Sequence, residues 1–147
     1  MIKAQEESLY DLLSNSGLLT SFVDRDGVTQ DAPKTTAIQL YELDESARDL
    51  GSEDRMLLIK NTGAGIGNYL LRAPSVSIMT FSSTRSGDLK YARDYIERIK
   101  DYISTNFRID CIISANIIGD VAGPYRLQSG RRYFELNLNV ITDTGET

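Results

Sequence analysis

The residues of this chain that could do chemistry are a glycine-rich segment, an acidic segment and a single cysteine. The chain has no histidine, so it lacks the usual general base near neutral pH, the usual zinc ligand and the central member of a hydrolase triad. An enzyme would have to work with Asp, Glu, Lys, Tyr or Cys111 alone. The composition therefore argues against catalysis, and we expect no enzyme activity and no cofactor.

The glycine-rich segment has some features of a phosphate-binding turn. Gly63, Gly65 and Gly67 follow a predicted strand. A dinucleotide fingerprint places its glycines at the start of a helix, and a phosphate loop needs a Gly-Lys pair. Here Pro74 comes too soon for such a helix, and no lysine follows the glycines. We predict a flexible connection at Gly63–Gly67 without nucleotide binding, and a small-ligand site there remains the alternative.

The acidic segment runs from Asp44 to Asp54, with Arg48 as its one basic residue. Hard cations bind clustered carboxylates, but this spacing lacks the alternating ligands and the turn glycine of a calcium loop. We therefore predict a solvated turn and no metal site. Cys111, the only cysteine, starts an apolar run, which predicts a buried structural thiol and excludes an intramolecular disulfide.

A long amphipathic helix is predicted at Ser86–Phe107, and the other elements are arranged around it. Its apolar residues recur at spacings of three and four, which places Leu89, Ala92, Ile96, Ile99 and Ile103 on one stripe. Such a stripe requires a sheet beneath it. On the solvent-facing side, the four-residue spacing predicts two ion pairs, Asp94 with Arg98 and Arg93 with Glu97. Ser86 is the predicted N-cap, with Asp88 in the first turn.

The remaining elements predict an α+β fold in a single domain, 1–147. A first helix spans Lys3–Asn15, and Gly17 ends it. The predicted strands are Leu19–Val23, Thr35–Leu43, Met56–Ile59, Ser75–Ser82, Cys111–Ile118 and Arg131–Ile141, and an exposed loop is expected between Leu18 and Pro33. We expect a mostly antiparallel sheet with the two main helices packed on one face. One parallel pair across the long helix is the alternative topology.

The last strand has the clearest alternation in the chain. Phe134, Leu136, Leu138 and Val140 share one face, which predicts the core side, and the residues between them share the other. Before this strand lies a predicted loop, Gly119–Gly130, which is long for a hairpin. Tyr125 and Arg126 within it are residue types that anchor interfaces. We therefore predict that this loop contacts a partner.

Charge is unevenly distributed along the 147 residues, whose net charge is -5. Residues 1–60 hold 6 Lys and Arg against 12 Asp and Glu, a balance of -6, and residues 61–147 hold 10 against 9, a balance of +1. A net acidic chain is a poor nucleic-acid binder, but two unlike halves can present opposite faces to neighbouring copies. No segment is long and apolar enough to span a membrane, and the acidic start is no signal peptide. We expect the protein to stay in the cytoplasm of the cell that makes it.

The second half of the chain resembles a known family. The segment SVSIMTFSSTRSGDLKYARDYIERIKDYI, preceded by IKNTGAGIGNYLLRAP and followed by GRRYFELNLNVIT, is similar to the tail terminator, or minor tail protein, family of long-tailed bacteriophages. The resemblance covers roughly Arg55–Ile141. It implies a small α+β subunit of a six-membered ring in the virion tail. That ring stops tail-tube growth and prepares the tail for joining to the head.

The resemblance also implies partners and contact residues. The partners would be other copies of the chain, the tail tube protein and a head-completion or neck protein, with no membrane and no specific nucleic acid. Arg126, Arg131 and Arg132, on or beside the predicted long loop, are the implied subunit or tube contacts, together with Tyr125 and, behind them, Arg85. A related neck protein that completes the head is the alternative function.

Overall fold

The computed structural model describes residues 5–46, 50–67, 71–85, 87–105 and 112–143. In these ranges the helices are α1 (Gln5–Ser16) and α2 (Leu89–Thr105), and a 3-10 turn spans Thr35–Ala37. The strands are β1 (Ser21–Val23), β2 (Thr29–Asp31), β3 (Ile38–Leu40), β4 (Met56–Gly67), β5 (Leu71–Phe81), β6 (Ile112–Arg126) and β7 (Arg132–Asp143). The predicted N-cap Ser86 and the thiol of Cys111 lie outside the described residues.

Strands β3 to β7 form one sheet in the order β3-β4-β5-β7-β6. The β3–β4 pair is parallel, with Ile38 opposite Leu57 and Leu40 opposite Ile59. The other neighbouring strands in this sheet are antiparallel. The alternative of a parallel pair across the long helix is wrong, because β7 lies between β5 and β6. The α+β fold with a mostly antiparallel sheet is confirmed.

Both helices contribute to the same core on one face of the sheet. The predicted stripe of α2 is confirmed, since Ala92, Ile96, Ile99 and Ile103 are fully buried and Leu89 packs at their edge. Facing them are the alternate residues of β7, namely Phe134, Leu136, Leu138 and Val140, none more than 3% exposed. Burial of each such side chain stabilises the fold by roughly 1.5–3 kcal/mol relative to exposure. Helix α1 adds Leu9, Leu12 and Leu13, and Gly17 follows it at φ 82°.

Of the two ion pairs predicted on the solvent-facing side of α2, only one forms. The Arg93–Glu97 ion pair forms, with Nη2 and Oε1 3.1 Å apart. The predicted Asp94–Arg98 pair is wrong, because both side chains are used by the β1–β2 turn. Asp94 accepts a hydrogen bond from the Arg25 amide at 3.3 Å, and Arg98 donates to the Val23 carbonyl at 2.6 Å. The β1–β2 turn therefore contacts this side of the helix at Asp94 and Arg98, while Arg93 stays 52% exposed.

The exposed loop expected between Leu18 and Pro33 is instead a small antiparallel hairpin of β1 and β2. The Asp24 carboxylate fixes its turn by accepting from the amides of Asp26 and Val28 at 2.9 and 3.0 Å. Phe22 is 3% exposed, and its ring is stacked on that of Tyr95 with centroids 4.6 Å apart. The apolar ring of Phe22 binds the hairpin to the core.

The flexible connection predicted at Gly63–Gly67 is wrong, because β4 continues through Gly67. Gly63 pairs with Ser75 and Gly67 with Arg72, with register shifts that mark bulges in this part of the β4–β5 ladder. Strand β5 begins at Leu71, before the predicted start at Ser75. The glycines therefore lie in a strand that leads to another strand, and a phosphate loop has a different geometry.

The long loop predicted at Gly119–Gly130 is also wrong. Strand β6 continues to Arg126, and a turn of Leu127–Gly130 connects it to β7. The β6–β7 ladder is interrupted by register shifts between Ile118 and Tyr125, and such bulges protect an edge strand from uncontrolled pairing. Gly123 has φ 122°, and a Cβ there would lie 2.8 Å from the Tyr133 carbonyl oxygen. Only glycine fits that close approach.

The helix-free face of the sheet carries a second, smaller core. Its buried members are Ala37, Met56, Leu58, Met79 and Phe81, none more than 9% exposed. Leu43 and Leu50, from the connection between β3 and β4, pack against it. The acidic segment is thus more than a solvated turn, since its Leu50 packs on this face.

Candidate interaction surface

The structure brings the predicted contact residues to one end of the sheet, where β5 and β6 end and β7 begins. Arg126 and Arg132 are directly opposite each other on β6 and β7, and Tyr125 is opposite Tyr133. The end of β5 is bound to the same place, because the Ser82 amide donates to the Arg132 carbonyl at 2.8 Å. Arg85 follows Ser82 in the segment that leads to α2.

Arg131 is buried rather than exposed, with only 3% of its side chain accessible. Its guanidinium donates to the carbonyl of Asp54, to that of Gly51 at 2.6 Å and to that of Ser82 at 3.3 Å. Its Nε lies 3.1 Å from Glu45 Oε1. These bonds occupy the donors that a neighbouring subunit would need, so the contact role predicted for Arg131 conflicts with its position.

The bonds of Arg131 give the acidic segment its shape. Glu45 also accepts from the Ser129 hydroxyl at 2.6 Å, which fixes the start of the segment against the β6–β7 turn. At its end, the Asp54 carboxylate accepts from the Gly51 amide at 2.6 Å and lies 3.0 Å from Lys34 Nζ. The Gly51 amide and then Lys34 lower the pKa of Asp54 below its usual value. The segment is therefore held at both ends.

Arg126 and Arg132 remain as cations without a carboxylate partner among the described residues. Arg126 is exposed and Arg132 half-buried. Like charges directly opposite each other on neighbouring strands are destabilising, and nothing in the described parts of the subunit offsets this pair. Arg85 differs, because its Nη2 lies 2.7 Å from Glu53 Oε1 in an exposed ion pair. An anionic partner surface would complement Arg126 and Arg132.

Aromatic rings extend from Tyr125 across the helix-free face. The ring of Tyr125 lies 5.4 Å from that of Tyr133, which lies 5.0 Å from that of Phe81. Burial first, and then the negative charge of Glu135, raise the pKa of Tyr133 above its usual value. Beyond Phe81 the row opens into a cavity of about 230 Å³.

Tyr41, just after β3, lines the far end of this cavity and is a position that sequence reasoning missed. It is 51% exposed and has a φ of 76°. Its hydroxyl donates to the Glu7 carboxylate on α1, and this hydrogen bond is the main cause that raises the pKa of Tyr41 to about 12. Neither its conformation nor its partner 34 residues away has a sequence signal.

The two edges of the sheet differ in charge. At the β3 edge, helix α1 contacts β4. The described residues of α1 include the acids Glu6, Glu7 and Asp11 but no lysine or arginine. Glu42 and Asp44 follow β3 on the same side. At the β6 edge, Arg126 lies at the end of the strand, opposite Arg132 at the start of β7, and Asp120 farther back in β6 is paired with Lys100 at 2.6 Å. The subunit therefore has an acidic edge and, at the end of the opposite edge, a basic one.

This arrangement suits contacts between proteins. Within the described ranges no group of three or more His, Cys, Asp or Glu side chains is placed to hold a metal ion. No helix in the part of the chain that the structure describes is long and apolar enough to cross a membrane. The geometry offers charged and aromatic surfaces at the sheet edges.

The chain was compared with known proteins. No curated protein sequence matches it. A family model described as phage tail termination protein matches residues 4–144, nearly the whole chain. This is a family of structural components of the virion tail rather than of enzymes, and its description implies an interaction with the tail tube. The chain therefore belongs to the phage tail termination protein family.

Proposed function

We propose that this protein forms a ring of identical subunits, six by resemblance, that caps the tail tube, ends its polymerisation and provides the surface to which the head is joined. The observation that supports the ring is the charge difference between the β3 edge and the β6 edge. In a ring each subunit contacts the next through two different patches, which must complement each other. An acidic edge and a basic edge meet that requirement.

The charge difference also suits the timing of assembly. Subunits are made before a tail is complete, so a contact strong enough to close rings in solution is not required. Contacts made partly through exposed charges are individually weak and guide orientation more than they add affinity. The ring then forms where the tube provides additional contacts, and the head or neck protein joins its outer face.

The test is capping of purified tail tubes. Tubes assembled with and without the protein are imaged by negative-stain electron microscopy, and the lengths and ends of the tubes are scored. The expected result is an annular density at one end of each tube and an arrest of further growth. Tubes that keep growing with bare ends in the presence of folded protein would contradict the proposal. Binding to the head alone would favour the neck protein.

A further inference from the structure

An aromatic band lies on the helix-free face of the sheet, where ring contacts run from Tyr125 to Phe81 and a cavity continues from Phe81 to Tyr41. Its inner part consists of Phe81 and Tyr133, whose rings are 5.0 Å apart, and the cavity beside them. Each end is a half-exposed tyrosine, Tyr41 at 51% beside β3 and Tyr125 at 47% on β6. Exposed tyrosines are enriched in protein interfaces, where the ring supplies area and the hydroxyl tolerates water.

The residues beside the two tyrosines carry opposite charges. Arg126 follows Tyr125 on the edge strand β6, with its side chain on the opposite face of that strand, and Glu42 follows Tyr41. Glu42 is exposed and lines the mouth of the cavity, and the hydroxyl of Tyr41 is bound to Glu7. The β6 edge at one end of the band therefore carries a tyrosine and a cation, and the other end carries a tyrosine with the acids Glu7 and Glu42, beside which Lys60 also lines the cavity.

Tyr41 is held in a backbone conformation that side chains rarely adopt. At φ 76° it is the one non-glycine residue with positive φ in the described ranges, and such a conformation costs free energy. Its amide donates to the Ile59 carbonyl at 3.0 Å and its hydroxyl to Glu7, so the structure fixes the ring half-exposed at the edge of the sheet. Strain of this kind is concentrated at functional positions.

We infer that the Tyr125–Arg126 end of one subunit docks against the Tyr41–Glu42 end of the next, so that the aromatic bands of neighbouring copies join. This inference rests on the proposed ring and specifies its contact. The partner is a second copy of the chain, because the two ends match in aromatic character and are opposite in charge. The contact is heterologous, since the two patches are different.

Site-specific cross-linking tests which patches meet. In a chain whose Cys111 is replaced by serine, Tyr41→Cys and Tyr125→Cys are made separately, and each protein is bound to tail tubes and treated with a short bis-maleimide. The expected result is no cross-link with either variant alone and a cross-linked dimer when the two are mixed. A chain that carries both cysteines should give a ladder of cross-linked oligomers. Cross-links with a single variant, or none in the mixture on capped tubes, would overturn the contact.

Charge reversal gives an independent test that does not depend on replacing the tyrosines. Arg126→Glu and Glu42→Arg should each reduce the fraction of capped tubes by about tenfold, because like charges then meet across the contact. Both changes in one chain should restore capping, since the attraction is re-formed with the signs exchanged. Arg25→Glu, the same change of charge at the exposed β1–β2 turn, is the matched control and should cap normally. Circular dichroism verifies that each variant is folded.

The outcomes separate this contact from the function on which it rests. If the wild-type protein does not cap tubes, the proposed function fails. If the wild-type protein and the folded Arg126→Glu variant cap equally well, the function stands and the contact between Tyr125–Arg126 and Tyr41–Glu42 is wrong. If both single reversals fail and the double reversal does not recover, the two patches do not face each other and the contact is likewise wrong.

Discussion

At the scale of single residues, Arg131 is a structural cation rather than a surface one. Three carbonyls from two connections and the Glu45 carboxylate surround its guanidinium. An arginine suits this position because its planar group presents donors in several fixed directions at once, which a lysine cannot do. The residue thereby binds the β3–β4 connection to the end of β5.

We expect Arg131→Gln to lower the free energy of unfolding by about 3 kcal/mol, because Glu45 and the three carbonyls lose a buried charged partner. Arg132→Gln, at the neighbouring half-exposed position, should change it by less than about 0.5 kcal/mol. Urea denaturation followed by circular dichroism measures both. Equal stability of the two variants would show that the bonds of Arg131 contribute little.

Leu138 and Asn139 test the register of β7 in the same way. Leu138 is fully buried beneath the helices, and Asn139 is exposed on the other face. Leu138→Asp should abolish soluble folded protein, since burying an unpaired carboxylate costs several kcal/mol, comparable to the stability of a small domain. Asn139→Asp should be tolerated. Thermal melts that are alike for the two variants would mean that the register is wrong.

At the scale of elements, the start of α2 is fixed by an ion pair. Arg55, just before β4, donates to both carboxylate oxygens of Asp88 through Nε at 3.1 Å. Asp88 also accepts from the Ser83 amide at 2.7 Å. Burial alone would raise the pKa of Asp88, but the hydrogen bonds from Arg55 and Ser83 outweigh it, and the net pKa is lowered. The charged form is therefore favoured by folding.

A lowered carboxyl pKa predicts the direction of a pH effect. The contribution of Asp88 to stability is fully present above the pKa of an unfolded aspartate, about 3.9, and is lost as the pH falls through the lower folded value. The free energy of unfolding should thus fall more steeply below about pH 4 in the wild-type protein than in Asp88→Asn. Chemical denaturation across that range measures the slopes. Equal slopes in the two proteins would contradict this role of Asp88.

At the scale of the whole molecule, the sheet presents different charges and matching aromatic residues at its two edges. A subunit of this kind is suited to head-to-tail assembly rather than to a two-fold dimer. Membership of the phage tail termination protein family agrees with head-to-tail assembly. In the proposed ring, the positions of the two patches on the sheet would set the rotation from one subunit to the next, on which closure depends.

Salt should weaken this assembly. Exposed charges more than about 10 Å apart are screened at 0.1 M ionic strength, and the distance shrinks to about 3 Å at 1 M. We therefore expect the protein concentration needed for half-maximal tube capping to rise between 0.1 M and 1 M NaCl. The wild-type protein should show a steeper rise than Arg126→Glu at the concentrations where that variant still caps. Electron microscopy of tube ends gives both curves, and capping that is independent of salt would exclude a role for exposed charge.

The sequence by itself determined the elements whose patterns are local. The three-and-four spacing of α2 and the strict alternation of β7 follow from backbone periodicity, which relates sequence position to face without any knowledge of neighbours. These two elements define the main core and the fold class. Helix α2 and the alternating residues of β7 lie within Arg55–Ile141, the part of the chain that resembles the tail terminator family.

Only the tertiary structure decided which side chains are exposed and where the strands end. Gly63–Gly67 and the residues after Gly119 look like loops in isolation, but pairing with β5 and β7 makes them strands. The guanidinium of Arg131 donates to the carbonyl of Gly51, 80 residues away. Hydrogen bonds to Ile59 and Glu7 hold Tyr41 in its strained conformation. Such long-range hydrogen bonds depend on strand order and register, which a local pattern of apolar and polar residues does not encode.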